Sequence, residues 1–389
     1  MRKWILGIIM IVISMCTGCN AGNHNDPQAV KTTESTLGNI PTHYTTEEGN
    51  LTIDMPITSP KNKDLVHGTA TIVPCNDVLN TIKSTVLNDN WKSLTSYDST
   101  DDNGKAYTVY ETQTGSSVAY PGKQFTISDM SIDYLDCEED PEFLSKLLGS
   151  FQYDITFIDS PKAKECNVSE YQNINDLDFL SKEDAFVKCK DQLKAWGIQF
   201  HDLKYRYAFA LDHTTMQQQY EKNQNKIKED MGEDAIGPEY NWSEADDCYY
   251  YFARDTFQEE PVYYYNSISG ITSTPVELVY NRENGVVCVR TQRIFNYIED
   301  DTPVQWLPFD VILNTIITKY TNLLTDDKYI IDDCEFRFYL KKTDSDSYET
   351  VPVWAFRVSE DHLDSNGSLL YITEDVLINA ETAEEVSVE

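Results

Sequence analysis

Two Asn-Gly pairs, Asn103-Gly104 and Asn284-Gly285, constrain the fold most strongly because each adjoins runs in which apolar and polar residues alternate. Such a pair favours the two-residue turn of a β-hairpin, in which both central residues need positive φ. The second pair separates VELVYN from VVCVRTQR, and the first precedes KAYTVYETQ. The sequence therefore predicts antiparallel sheets that are built from hairpins.

Segments with a helical spacing of apolar residues alternate with these strand-like runs. The clearest is 178–198, where Ser181 and Asp184 form a capping box and Gly197 marks the C-terminal end. Further helical segments are 76–89, 308–324 and a more polar stretch within 213–245. The sequence therefore predicts an α+β fold, in which antiparallel β-sheets are each packed by one or two helices.

The C-terminal half repeats one order of elements. EEPVYYY and VPVWAFRV share a Pro-Val-aromatic core, and each follows a helix and a strand-like run, which predicts a duplicated helix-plus-sheet module. Proline cannot donate a ladder hydrogen bond, so Pro352 is predicted at an edge or a strand start. Alternation places Trp354 on one face of its strand. The residues predicted on the opposite face are Val351, Val353 and Ala355.

Changes in composition and periodicity predict five segments along the chain. The first two are a lipoprotein signal peptide at 1–18 and a lipidated cysteine with a disordered tether at 19–46. They are followed by an N-terminal α+β domain at 47–165 and by two modules at 170–300 and 301–389, the first with a helical insert.

The N-terminus has the features of a bacterial export signal. Arg2 and Lys3 precede the apolar run WILGIIMIVISM, which is too short to span a bilayer comfortably as a helix. The following Thr-Gly-Cys resembles the lipobox of bacterial lipoproteins, with Cys16 where leucine is usual. The resemblance implies that Cys19 carries a diacylglyceryl anchor. The competing interpretation, a redox Cys-x-x-Cys motif, needs a folded helix start that an export signal does not provide.

The chain is strongly acidic, with 31 Lys+Arg against 65 Asp+Glu and a net charge of −34. Such a charge argues against nucleic acid as a ligand and against direct docking on anionic lipid. Solubility explains it, and the alternative explanation is a basic partner or loosely held cations.

Sequence motifs for catalysis are absent. The chain has no H-E-x-x-H, no G-x-S-x-G and no glycine-rich phosphate loop. Outside the tether the histidines are too far apart in sequence to form a local metal pair: His67, His201, His213 and His362. We therefore predict no catalytic residue, no metal and no cofactor. Adjacent carboxylates are frequent and are interpreted as solvated loops, since their adjacency does not place two of them across a cleft.

The cysteines give no sign of a disulfide framework, and two of them are predicted to be buried. Nine are present, and the seven that follow Cys19 have irregular spacing that selects no disulfide pairing. Cys288 and Cys334 lie in strand-like runs and are predicted to be small buried apolar residues.

Aromatic residues are the candidates for a binding surface, since the chain contains 25 Tyr. In an alternating strand only every second side chain faces one way, so at least half of them belong to the core. The residues predicted for a partner surface are Tyr250, Tyr263, Tyr265 and Trp354.

Two stretches of the C-terminal half resemble PepSY-like modules. LSKEDAFVKCKDQLKAWGI is similar to their opening helix, and VPVWAFRV with INAETAEEV is similar to their closing strand and turn, with Ala383 where glycine is usual. The paired arrangement also resembles the YycH/YycI-type extracytoplasmic regulators of Gram-positive bacteria, and the chain resembles uncharacterised lipoproteins of these bacteria. The resemblance implies a partner such as a peptidase or the external domain of a sensor.

These features together predict a non-catalytic protein that a lipid anchors to the outer face of the cell membrane. It is expected to bind a protein or peptide partner at the cell envelope, as a regulatory or inhibitory module. The alternative is a glycan- or solute-binding surface lipoprotein, which the tyrosine and tryptophan content favours. A hydrolase with an unrecognised carboxylate site is the third interpretation.

Overall fold

Antiparallel strand pairing dominates the computed structural model, which describes most of the chain after residue 38. The described residues are 39–73, 75–85, 94–100, 106–112, 123–128, 131–136, 139–140, 142–153, 167–171, 174–233, 239–266, 270–272, 275–291, 293–325, 327–344, 347–363 and 369–388. They belong to one compact unit, Thr36–Glu389. The predicted signal peptide, Cys19 and the turn at Asn103-Gly104 lie outside the described residues.

The described residues form eighteen strands and five α-helices. The strands are β1 (His43–Glu48), β2 (Leu51–Thr58), β3 (Val66–Ile72), β4 (Leu94–Thr100), β5 (Ala106–Thr112), β6 (Lys123–Ile127), β7 (Ile132–Asp136), β8 (Lys204–Leu211), β9 (Cys248–Arg254), β10 (Thr256–Phe257), β11 (Glu260–Asn266), β12 (Gly270–Thr272), β13 (Val276–Asn281), β14 (Gly285–Thr291), β15 (Phe295–Pro303), β16 (Lys328–Lys342), β17 (Ser347–Leu363) and β18 (Leu369–Asn379). The helices are α1 (Cys75–Thr85), α2 (Phe143–Ser150), α3 (Lys182–Ala195), α4 (His213–Met231) and α5 (Phe309–Thr321).

Local signals in the sequence set several element ends. Ser181 caps α3 by accepting the Asp184 N–H at 3.1 Å, and Gly197 beyond its end has a φ of +83°. Gly285 is the first residue of β14 and has a φ of +69°. It pairs with Asn281, so the hairpin turn is the three residues 282–284 and not a two-residue turn at Asn284-Gly285. Pro308 precedes the first residue of α5. These positions confirm the Ser181 cap, the Gly197 helix end and the β13–β14 hairpin, although the described contacts include only the Ser181 half of the predicted capping box. The α+β fold class is confirmed with them.

The first sheet is arranged around the antiparallel hairpin of β16 and β17, with the order β1-β2-β16-β17-β3-β15. β16 is long enough to pair with β2 at one end and with β11 at the other, both in parallel. β17 also has two partners on one side, and it pairs antiparallel with β18 over most of its length and with β3 near its start. One face of this sheet packs against α5 through a core that includes Trp306, Phe309 and Trp354.

The second sheet has the order β4-β5-β6-β7-β14-β13-β9-β8, and its neighbours are antiparallel. Helices cover both faces. α1 and α3 contribute to the apolar core on one face, and α2 and α4 contribute to the core on the other. Double coverage explains why every residue of β9 but its last, the run CYYYFA, is buried.

Strand pairing crosses the predicted segment boundaries. β2, from the predicted N-terminal domain, pairs with β16, and β7 pairs with β14. The boundaries at 165–170 and 300–301 therefore do not separate hydrogen-bonded sheets. β1 also begins at His43, inside the predicted tether, and Tyr44 packs against the core of the first sheet. The last residues of that tether are thus ordered by pairing with β2.

The two segments that share the Pro-Val-aromatic core lie in strands next to the same partner strand, and they are not equivalent strands of a repeat. β11 and β17 lie on either side of β16, where Phe338 faces both Val262 and Pro352. A recurring order does exist: α3 precedes the adjacent strands β8, β9 and β13, and α5 precedes the adjacent strands β16, β17 and β18. In this order β9 corresponds to β17. The strands β10 to β12, which lie between β9 and β13 in the chain, belong to the first sheet.

Pro352 lies inside β17 and not at its start. The Pro352 carbonyl accepts the Ala380 N–H at 2.9 Å, so the proline nitrogen faces the side on which β3 has ended and β18 begins. The missing N–H therefore costs no ladder bond. The predicted alternation is confirmed, because Trp354 joins the α5 core whereas Val353 and Ala355 join the core on the other face. Both faces are buried.

A buried ionic junction joins the two sheets. Arg254 on β9 donates to both oxygens of Glu335 on β16, at 2.5 and 2.9 Å. Arg206 on β8 donates to Glu335 at 3.3 Å and to Asp333 at 2.9 Å. Arg337 adds a third donor to Glu335 at 3.0 Å. The Glu335 side chain is only 8% exposed, so this carboxylate depends on its arginines for solvation.

Asp255 secures the point where the chain passes from β9 to β10, between the sheets. Its carboxylate accepts backbone N–H groups from His201 at 3.1 Å, Asp202 at 2.8 Å and Thr256 at 3.0 Å. Burial nevertheless raises the pKa of Asp255 to about 6, since three neutral donors do not replace water fully.

This shift predicts a pH dependence of stability. The folded state holds the Asp255 proton more tightly than the unfolded chain does, so the carboxyl contribution to stability is lost as pH rises from about 4 to about 6. The loss is about 3 kcal/mol, and Asp255→Asn should remove it from the pH profile. Urea unfolding at several pH values measures this as a changing difference between wild type and variant. A constant difference would contradict it, and Asp230→Asn on exposed α4 is the control.

Candidate functional site

Two helices begin at the same end of the second sheet, and carboxylates satisfy their first N–H groups. Asp176 accepts the Lys182 N–H of α3 at 3.1 Å, and Asp212 accepts the Thr215 N–H of α4 at 3.0 Å. Helix N-termini leave N–H groups unpaired and carry partial positive charge, so acidic residues are favoured there. The helix starts thereby gather acidic side chains from distant parts of the sequence.

These residues surround an open cavity of about 490 Å³, which we call the acidic cleft. Its lining residues are Ile174, Asn175, Asp176, Leu177, Asp178, Asp212, His213, Glu244, Asp247 and Arg282. Five of them are carboxylates and one is an arginine. The lining has no Ser, Thr, Cys or Lys side chain, and its carboxylate acceptors outnumber its donors, which are Asn175, His213 and Arg282.

Arg282, in the turn after β13, contacts three of the cleft carboxylates. Its Nη2 donates to Asp247 at 2.9 Å and also to Asp178, and its Nη1 lies 3.3 Å from Glu244. The guanidinium stacks over the Phe179 ring at 4.8 Å. Burial opposes its charge, but hydrogen bonds and attraction to Asp247 and Asp178 outweigh burial and raise its pKa.

Asp247 is the buried centre of this arrangement, with a side chain 4% exposed. One carboxylate oxygen accepts the backbone N–H of His213 at 2.6 Å and lies 2.9 Å from its Nδ1. The His213 ring, 39% exposed, is thereby held at the cleft wall. Asp247 thus orients both the histidine and the arginine of the cleft.

The charge balance of the cleft is negative. Arg282 neutralises part of it, and the helix starts offset a further part, but five carboxylates remain against one guanidinium. Glu244 and Asp178 are 66% and 73% exposed, so they can turn toward a ligand. This arrangement suits a cationic group that brings N–H donors.

The aromatic partner surface predicted from the sequence is absent at three of its four positions. Tyr250 is 2% exposed, Tyr263 is 0% exposed and Trp354 is 1% exposed. Their strands are covered on both faces, which alternation alone does not reveal. The backbone of Tyr265 lies in β11, and its side chain is outside the described residues.

Buried polar partners hold Tyr250 in place. Its hydroxyl lies 2.5 Å from Glu277 and 2.5 Å from the Tyr153 hydroxyl, and burial raises the pKa of Tyr250 well above its usual value. The residue therefore belongs to the core that α2 and α4 cover on one face of the second sheet.

The predicted burial of two cysteines is confirmed, with Cys288 3% exposed and Cys334 0% exposed. Burial raises the pKa of the Cys334 thiol well above its usual value, so it remains protonated. Within the described ranges, no three His, Cys, Asp or Glu side chains are arranged to hold a metal ion. Among the described helices, none is long and apolar enough to cross a membrane.

Sequence reasoning missed the cleft because its members are far apart in the chain and each looks like a solvated loop residue. Asp212 had a usable signal, since an Asp just before a helical period indicates a cap. Asp176 had none, because it lies six residues before Lys182 and Ser181 is the N-cap of α3. Arg282 had none, because only the fold brings it to Asp247.

Arg282→Gln is expected to destabilise the protein by about 3 kcal/mol, since it leaves buried Asp247 without its charged partner. Urea unfolding measures the free energy of unfolding of both proteins. Lys228→Gln is the matched control, because it removes an exposed pair with Glu233 and should change that free energy little. Equal losses in the two variants would contradict the central role of Arg282.

Comparison with known proteins supports the fold and gives no activity. No protein-family model matches the sequence, and no curated protein matches it. An uncharacterised protein from Eubacterium rectale ATCC 33656 is 15% identical at a TM-score of 0.59, with 90% of this chain and 94% of that chain covered. The Bacillus megaterium YpeB C-terminal domain is 12% identical over 82% of this chain and 98% of its own, but its TM-score of 0.26 carries no argument. The chain therefore shares its fold with the Eubacterium protein.

Proposed function

We propose that this chain is a non-catalytic, lipid-anchored extracytoplasmic protein that binds a protein or peptide partner, and that the acidic cleft receives a basic segment of that partner. The observation that carries the proposal is the cleft lining, five carboxylates against one arginine around an open cavity. Basic side chains are the ligands that such a lining attracts, and the net charge of −34 steers them toward it.

The size of the cleft supports a peptide side chain as its occupant. A volume of about 490 Å³ falls in the range of specific ligand pockets, which is about 300–1,000 Å³. One lysine or arginine side chain with its neighbouring backbone fits this volume. The exposed positions of Glu244 and Asp178 at the rim suit further basic residues along an extended partner.

The glycan-binding alternative loses its main support. Stacking on sugars needs exposed aromatic faces, whereas Tyr250, Tyr263 and Trp354 are buried. A hydrolase with a carboxylate site has no specific observation in its favour. Partner binding is therefore the function that the geometry supports best.

Binding of a fluorescent Lys/Arg-rich peptide tests the cleft. Asp212→Asn with Glu244→Gln removes two charges, while asparagine keeps the helix cap as well as aspartate does. We expect affinity at low salt to fall about tenfold, as a loss near 1.4 kcal/mol implies. Glu229→Gln with Asp230→Asn removes two charges from the exposed far end of the same helix and should change affinity less than twofold.

Two outcomes would contradict the cleft assignment. One is equal weakening in both double variants, which would indicate a general charge effect without a site. The other is the absence of binding by wild type at low ionic strength, where surface attraction is strongest.

The anchor is a separate part of the proposal and rests on the lipobox resemblance around Cys19. Cys19→Ala in the full chain should move the protein from the membrane fraction to the aqueous phase on detergent partitioning, because two acyl chains anchor stably and none remain. Cys16→Ala is the control and should leave partitioning unchanged. Membrane retention of Cys19→Ala would contradict the lipid anchor.

A further inference from the structure

The segment Glu384–Val388, here called the strap, runs back along the edge of β18. The Val386 N–H donates to the Leu377 carbonyl at 2.8 Å, and the Asn379 N–H donates to the Glu384 carbonyl at 2.8 Å. A β-bridge joins Ile378 and Glu385. The strap therefore adds a short antiparallel strand to the first sheet, on the side of β18 away from β17.

The strap also adjoins an apolar patch on the face of the sheet opposite to α5. Val386 and Val388 pack against it, whereas Glu385 and Ser387, which alternate with them, are exposed. The patch residues are Tyr263, Tyr339, Val353, Ala355 and Leu377. The patch and the edge together recognise an extended backbone with apolar side chains at alternate positions.

The strap is held more weakly than the strands beside it. β18 pairs with β17 along its whole length, but the strap contributes one backbone donor to β18 and accepts one in return. Glu385 adds one ion pair, 2.7 Å from Lys319, with side chains 48% and 32% exposed. Exposed pairs of this kind add little stability.

The turn before the strap contains both a fixed point and a strained residue. Glu381 accepts the Gln305 N–H at 2.6 Å and lies 3.1 Å from Nε2 of His67, so it fixes the start of the turn. Ala383 has a φ of +57°, a conformation that costs an alanine about 1 kcal/mol. Release of the strap would relax Ala383 while Glu381 stays in place.

We propose that the edge of β18 is a docking site for an extended peptide segment of a partner protein, and that the strap occupies this site until such a segment replaces it. The partner segment has apolar side chains at alternate positions, as the strap has at Val386 and Val388. Strand addition at a sheet edge gives affinity through the backbone, and the patch gives specificity. This site lies on the first sheet and is independent of the acidic cleft on the second.

Peptide binding to the full chain tests the proposal. A labelled peptide with the sequence TAEEVSVE should bind the variant Val386→Asp with Val388→Asp, whose strap no longer fits the patch. Wild type should bind it at least about tenfold more weakly, because its own strap competes at a high effective concentration. Ser387→Asp changes an exposed position and should behave as wild type. A peptide with Asp at both valine positions should not bind.

Several results would overturn the proposal: equal peptide binding by wild type and the double-Asp variant, no binding by a folded double-Asp variant, or exchange of straps between two wild-type copies in place of peptide binding.

Hydrogen exchange on wild type gives a second measurement that needs no variant. The Val386 N–H should exchange at least tenfold faster than the β17–β18 ladder, and equal protection would also overturn it. The cleft variants Asp212→Asn and Glu244→Gln should leave peptide binding unchanged, which separates this site from the proposed function.

Discussion

The hydrogen-bonded junction around Glu335 is the interaction on which the arrangement of the two sheets depends. Arg206 and Arg254 come from the second sheet, and Glu335 comes from the central hairpin of the first. Removing one partner from a buried ion pair leaves an unsolvated charge and costs about 3–5 kcal/mol, so such a contact tolerates only one relative placement. The chain passes between the sheets beside this junction at Asp255. This junction therefore also fixes the acidic cleft on the second sheet relative to the strap on the first.

Four arginines neutralise carboxylates in the interior of this acidic chain. Arg206, Arg254, Arg282 and Arg337 are each engaged with carboxylates in buried or half-buried positions. These four guanidinium groups thus neutralise carboxylates inside the protein, and the chain keeps a net charge of −34. A basic partner of the proposed cleft would meet this field before any specific contact, which would speed the encounter.

Local signals in the sequence predicted the elements well. The cap at Ser181, the hairpin at Gly285 and the alternation around Trp354 follow from interactions within a few residues, which do not need the rest of the fold. The predicted aromatic surface was wrong at Tyr250, Tyr263 and Trp354, because alternation separates two faces without telling which are covered. The predicted repeat matched β17 with β11, whereas the order of elements matches β17 with β9. The mismatch arises because β10 to β12 pair in the first sheet, and long-range pairing has no local signal.

The sequence by itself determined the α+β class, the helix ends, the net charge and the absence of familiar catalytic motifs, since these depend on composition and on short-range spacing. Only the tertiary structure decided which carboxylates share a cleft, that Arg282 lies among them, and that the last residues return to the edge of β18. These contacts join residues far apart in the chain. Their geometry is set by sheet pairing and by burial on both faces, which a one-dimensional pattern does not contain.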